Sequence, residues 1–422
     1  MKVLLVSTDD IKGGAARAAY RLHRGLLDNN INSQILVQGK YSGDKTIVGA
    51  ESQIAKGLAL VKPTIDKLPF SFYRQRKPNP YSCQWMPDKI GSQITRISPD
   101  VINLHWIRGG FVRIETIGRL PEVPIIWTLH DMWAFTGGCA YTEECTRYTQ
   151  SCGACPQLNS SKTWDLTRWI WRRKAKAWGD KKITLVTPSK WLGQCAAKSS
   201  LFYNSRIEVI PNGIDIKQYK PTEKRLARDL LALPLDKKLI LFGAVGATSN
   251  SRKGFGLLQD TLQKLANIVN CDREIELVVF GASEPLNPPK FGFKTRYLGK
   301  FSDDVALNLL YGAADVFVAP SLQDNFPNTV LEALACGTPC AAFNIGGMPD
   351  AISHQYNGYL ATAFDVADLA RGIDWVLSDR ERHTILSKQA RSRVERDFTQ
   401  DIQAKKYLQL FEELKCETNS KI

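Results

Sequence analysis

Short apolar runs alternate with helix-length amphipathic stretches along nearly the whole chain. Residues 3–7, 32–36, 101–104, 125–129, 183–187 and 206–210 read as strands. Most are followed by polar or glycine-bearing turns and then by helical periodicity, the pattern of parallel sheets with crossover helices. A second series runs through 239–242, 276–280, 295–298, 316–319 and 340–343. Between the two series, residues 215–238 carry Pro221 and Pro234 among many charges and read as a linker with a short helix. Residues 60–90, with five prolines, read as an irregular insertion, and 398–414 as a final amphipathic segment. The expectation is α/β: two doubly wound domains facing across a cleft. Their bounds are 1–215 and 216–396, and the terminal helix, 397–422, is expected to cross back to the first domain.

A chain of 422 residues exceeds what one core usually supports, which agrees with two domains. No apolar run approaches the roughly 18 residues of a membrane span. The N-terminus reads as a first strand rather than a signal peptide, so a cytoplasmic protein is expected. The formal net charge of +14 would attract nucleic acid, anionic lipid or phosphorylated small molecules. The basic residues are dispersed or interleaved with aromatics, which argues against nucleic acid.

In open α/β sheets, ligands sit beyond the carboxyl ends of the strands. The run 315–321 reads as a strand stopped by Pro320, 322–328 as a polar loop, and 329–336 as a helix ended at Gly337. The start of that helix would offer backbone N–H groups to a phosphate. Asp324 falls in the loop and Glu332 about one turn into the helix. Two carboxylates so placed can each accept hydroxyls of a polyol ligand; read structurally, they are a turn residue and a helix-start charge.

The run 320–339 resembles the Glu-x7-Glu signature of family 4 retaining glycosyltransferases, which have the GT-B fold. Other motifs agree in order. Gly13-Gly14-Ala15-Ala16-Arg17 follows the first strand, and Thr128-Leu129-His130-Asp131 a middle one. Val186-Thr187-Pro188-Ser189-Lys190, Pro211-Asn212-Gly213-Ile214-Asp215, Arg252-Lys253-Gly254 and Gly346-Gly347-Met348-Pro349-Asp350 complete the likeness. The resemblance implies that Glu332 binds the donor's ribose and that Asp324 contacts sugar hydroxyls where the family usually has glutamate. Backbone from Asn325 and Phe326 to Asn328 and Thr329 would cover sugar and diphosphate, with Gly13 and Gly14 also on the donor. Lys253 resembles the phosphate-binding lysine. The family's second cation, an arginine, is absent from Gly243-Ala244-Val245-Gly246, and Arg252 is the substitute at hand. His130 is implied to lie near the transferred sugar. His130, Asp131 and the strand-end His105 are placed on the acceptor side. Catalysis is expected to need no cofactor: the leaving diphosphate is met by cations and amides, and no Asp-x-Asp metal motif occurs.

Two features lie outside that likeness. Cys139, Cys145, Cys152 and Cys155 fall within 17 residues and end in a knuckle-like Cys-x2-Cys, which suits a structural zinc; free or disulfide-bonded thiols are the alternative. The run from Trp164 to Trp178 mixes tryptophans with cations, as a membrane-interface helix does. Its roughly seven-residue tryptophan spacing favours packing of one face on a sheet instead.

The expected function is retaining transfer of a hexose from a nucleotide-diphosphate sugar to a hydroxyl acceptor, a glycan or lipid-linked glycan of polysaccharide assembly. Peripheral contact with an anionic membrane at its inner face goes with that setting. The rivals are a sugar-nucleotide epimerase of the same fold and a non-catalytic glycan- or membrane-binding scaffold.

Overall fold

The computed structural model describes all residues except 51, 245, 270–274, 302 and 421–422, so Val245 and Cys271 lie outside the described residues. The chain divides into two compact units: Met1–Pro211 with Gln403–Ile422, and Asn212–Ile402.

The first unit is a seven-stranded sheet in which every strand pair is parallel. Its elements are β1 (Lys2–Asp9), α1 (Gly14–Asp28), β2 (Asn32–Gly39), β3 (Ile47–Val48), α2 (Gln53–Lys67), α3 (Ile90–Ile97), β4 (Val101–Leu104), α4 (Ile114–Ile117), β5 (Ile125–Thr128), α5 (Leu166–Trp178), β6 (Ile183–Thr187), α6 (Lys190–Ala197) and β7 (Ile207–Val209). The order is β3-β2-β1-β4-β5-β6-β7. Parallel strands are covered on both faces, which explains their unbroken apolar runs. Side chains alternate across the sheet: Leu4 and Val6 enter one core cluster, Val3 and Leu5 another.

The second unit holds α7 (Lys224–Leu230), β8 (Lys238–Gly243), α8 (Phe255–Ile268), β9 (Ile275–Phe280), β10 (Lys294–Tyr297), α9 (Asp304–Ala313), β11 (Val316–Ala319), α10 (Asn328–Ala335), β12 (Cys340–Phe343), α11 (Met348–Ala351), β13 (Gly358–Ala361), α12 (Val366–Leu377) and α13 (Arg380–Asp397). Its parallel sheet has the order β10-β9-β8-β11-β12-β13. Leu239 and Leu241 face one core, Ile240 and Phe242 the other. The last helix, α14 (Gln400–Asn419), sends Tyr407 and Phe411 into the core of the first unit, where the Tyr407 hydroxyl is 2.9 Å from that of Thr128.

Two readings change. Residues 215–238 are packed rather than linking: Tyr219 is fully buried, and the Arg228 guanidinium meets Asp315 at 2.7 Å. The segment 60–90 begins inside α2 and a 3-10 turn, Leu68–Phe72. On α5, Ile170, Lys174 and Trp178 are buried, and the exposed Trp164 and Trp169 are covered by Arg172 and Arg173 at 4.0 and 4.5 Å. Among the described residues no helix is long and apolar enough to cross a membrane.

Candidate active site

Each sheet has one point where the strand order reverses, and ligands of such sheets bind beyond the strand ends there. In the second unit the reversal lies between β8 and β11. The loops that follow are knitted together. Leu322 donates its backbone N–H to the Arg252 carbonyl at 2.8 Å, and Arg252 Nη1 donates to the Gln323 carbonyl at 2.7 Å. Gly254, at φ 75°, comes so close to Pro320 that a Cβ would stand 1.8 Å from its carbonyl oxygen. Gly346 approaches the Asp324 carbonyl similarly, and Gly347 donates its N–H to that oxygen at 3.1 Å.

This framework holds a charge cluster in which Asp324 is buried and Lys253 and Arg252 are partly buried. Asp324 accepts from Lys253 Nζ at 2.6 Å and lies 3.2 Å from Arg252 Nη1. Ser321 Oγ and the Asn325 N–H complete its shell at 3.3 and 3.1 Å. Burial alone would raise the Asp324 carboxyl, but Lys253 and Arg252 overcome it and hold its pKa at about 2. Burial lowers the Lys253 ammonium, and Asp324 opposes that. Two cations and one carboxylate leave one net positive charge. Eight residues on, buried Glu332 accepts the Tyr311 hydroxyl at 3.0 Å. Burial and the Glu332 charge push the Tyr311 phenol well up, so Tyr311 stays a donor. No side chain caps α10, which opens at Asn328 and Thr329 after Pro327; Asn325 and Phe326 are buried beside it.

In the first unit the reversal lies between β1 and β4. His105 and His130, just beyond the ends of β4 and β5, stack with centroids 5.3 Å apart, and His105 Nδ1 is 3.0 Å from His130 Nε2. Burial depresses both imidazoles, His130 to about 4 and His105 well below its ordinary value. They are therefore a neutral pair at pH 7, suited to hydrogen bonding rather than to carrying charge. The buried His105 Nε2 has no hydrogen-bond partner. Asp131 accepts the Trp106 indole N–H at 2.8 Å and the Trp133 backbone N–H at 2.8 Å, and pairs with Arg108 at 3.1 Å. Trp106 and Arg108 went unread in the sequence; their signal was the strand-end run His105-Trp106-Ile107-Arg108. Gly13, at φ 95°, precedes α1 with nothing within 4 Å of where a Cβ would stand, and Gly14 begins that helix.

Cys139, Cys145, Cys152 and Cys155, the residues expected to hold zinc, are free thiols. Among the described residues no group of three or more His, Cys, Asp or Glu side chains is arranged to hold a metal ion. Cys139 and Cys155 instead pack into the first unit's core, and Cys152 Sγ accepts the Gly137 N–H at 3.2 Å. Burial pushes the Cys152 thiol up to about 12 and Cys139 well above its ordinary value, so both stay protonated.

Residues 232–393 match the family model for glycosyl transferases group 1, and residues 12–218 that for glycosyltransferase family 4. The putative colanic acid biosynthesis glycosyl transferase WcaC of Escherichia coli K12 is 26% identical over 361 residues, 81% of this chain and 83% of its own length. An Escherichia coli UDP-Gal:alpha-D-GlcNAc-diphosphoundecaprenol alpha-1,3-galactosyltransferase is 26% identical over 200 residues, 46% of this chain and half of its own length. Among solved structures, sucrose-phosphate synthase of Thermosynechococcus elongatus superposes with a TM-score of 0.67 at 17% identity, covering 98% of this chain and 99% of that one. Anabaena HepE in complex with UDP-glucose gives 0.64 at 14% identity, covering 98% of this chain and 100% of that one. The shared architecture is GT-B.

Proposed function

This chain belongs to glycosyltransferase family 4, of the group 1 type, and on that premise we propose that it moves a hexose from a nucleoside-diphosphate sugar to a hydroxyl of a glycan or lipid-linked glycan, with retained configuration. The observation that carries this reading is the Lys253–Asp324–Arg252 cluster, centred on a buried carboxylate, at the strand reversal of the second unit.

The roles follow from charge and reach. Lys253 and Arg252 meet the diphosphate and stabilise the charge it gains as the C1–oxygen bond breaks. Asp324 and the backbone around Asn325, Phe326, Asn328 and Thr329 take the sugar and its phosphates. Glu332, oriented by Tyr311, takes ribose hydroxyls. The acceptor hydroxyl attacks C1 on the face the diphosphate leaves, and its proton passes to a departing phosphate oxygen. His130, neutral, serves as a hydrogen-bonding partner for a sugar hydroxyl, with His105 and Asp131 on the acceptor side. Gly13 and Gly14 allow close approach of a phosphate. Lys253 and Arg252 offset the negative charge of the leaving diphosphate, so the step is assigned without a metal. Work in the cytoplasm, at the inner face of a membrane, suits a lipid-linked acceptor.

The test is thermal stabilisation by UDP-, GDP- and ADP-hexoses, followed by the anomeric configuration of the product. Stabilisation by one of them, lost in Glu332→Ala, is expected. No response to any nucleotide sugar would sink the reading.

A further inference from the structure

The helix α2 is unusual in this molecule: of its 15 residues only Asp66 is buried. Asp66 anchors it by accepting the Gln84 N–H at 2.6 Å and the Ser82 hydroxyl. Ile54, Leu58 and Val61 are spaced four and three residues apart and form one stripe on the helix, which Leu68, seven residues on, and Phe72, four further, continue. All five stand in solvent: Ile54 is 80% exposed and Phe72 87%. A contiguous apolar stripe of this kind on a soluble surface marks a contact.

The other side of α2 is different. Lys56, Leu60, Pro63 and Lys67 line a cavity of about 480 Å³ between the helix and the ends of β1 and β2. Lys40 and Arg108 also line it, as do Lys12 and the carboxylate Asp9. Its described lining residues therefore include five cations and one acid, with Arg108 already paired to Asp131. Tyr41, Tyr81 and Trp106 add flat apolar walls. A cation-rich, partly apolar cavity behind an outward apolar helix is complementary to an amphiphile with an anionic head.

We propose that this cavity seats the phosphate or diphosphate head of a lipid acceptor while the outer stripe of α2 lies on the bilayer that carries it. The proposal rests on the acceptor being lipid-linked, and it assigns the membrane face to α2 rather than to α5.

The test is flotation of the full chain with phosphatidylcholine vesicles that contain either a polyprenyl phosphate or uncharged polyprenol, with surface charge equalised by phosphatidylglycerol. The wild type is expected to bind the phosphate-bearing vesicles several-fold more tightly. Lys40→Ala with Lys67→Ala should abolish that preference and keep the residual vesicle binding. Ile54→Ser, Val61→Ser and Phe72→Ser together should abolish binding to both vesicles. Stabilisation by a nucleotide sugar, measured on the same samples, reports the second unit separately, and a cooperative thermal unfolding transition like that of the wild type confirms that each variant is folded. Equal wild-type binding to both vesicles, a preference that survives the lysine changes, or flotation of the triple serine variant would each overturn the proposal. Loss of nucleotide-sugar response in the wild type would instead count against the transferase reading.

Discussion

Lys253 Nζ lies 2.6 Å from Asp324 Oδ2, where both side chains are largely withdrawn from water and Arg252 stands on the same oxygen at 3.2 Å. Removing one partner of a buried pair costs far more than the pair contributes, because the other charge is left behind. Lys253→Met should destabilise the second unit by about 3 kcal/mol, the low end of the usual range because Arg252 remains. Adding Asp324→Ala should recover part of that loss in urea unfolding; strict additivity of the two would show that they do not interact. The pH dependence has a definite sign. The folded carboxyl is at about 2, below its ordinary 3.8, so its contribution is present above pH 4 and is lost as pH falls toward 2. Asp324→Asn should flatten that part of the stability profile.

Gly346 tests whether the same carboxylate is placed by backbone contact. At φ 52°, with a Cβ position 2.0 Å from the Asp324 carbonyl oxygen, it leaves no room for alanine. Gly346→Ala should cost about 1–3 kcal/mol through forced displacement and should weaken nucleotide-sugar binding with it. Calorimetric titration checks the second part; unchanged affinity would mean the loop can move without harm to the site.

Glu332 separates binding from folding. Its partner Tyr311 can donate equally to an amide oxygen, so Glu332→Gln should leave the unfolding midpoint nearly unchanged. A hydrogen bond to a charged group is worth about 1.5–3 kcal/mol, so nucleoside diphosphate affinity should fall by roughly ten- to a hundredfold. Isothermal titration decides it, and a loss of stability without a loss of affinity would remove Glu332 from the ribose role.

The strands were legible because parallel strands buried on both faces must be apolar throughout, as at 239–242 and 316–319. The two missed strands lack that mark: β3 has two residues and β13 is only half buried. The helix α2 was obscured by Pro63 and by an apolar stripe that faces outward, against the usual pattern. Asp324, Glu332 and Lys253 stood out through motif and loop position, yet their pairing did not, since it joins residues about seventy positions apart. Tyr311 was invisible for the same reason. The burial of Cys139 and Cys155 in the first unit's core was not legible, because thiol spacing alone carries no information on burial.

Asp9, at the end of β1, offers a prediction that joins stability to the cationic cavity. Burial raises its carboxyl to about 6, helped by Asp10 and opposed by Lys12. The folded chain therefore keeps a proton there that the unfolded chain releases near pH 4. Between those values the folded state binds more protons, so stability falls as pH rises and the full penalty holds above pH 6. Asp9→Asn removes the ionisation. Its melting temperature should match the wild type at pH 4 and exceed it increasingly up to pH 7; a constant difference across that range would assign the effect to packing instead. The same change takes the one described acid out of a cavity lined by five cations. Binding of polyprenyl phosphate vesicles should accordingly tighten in Asp9→Asn above pH 6 and match the wild type near pH 4, where Asp9 is already neutral.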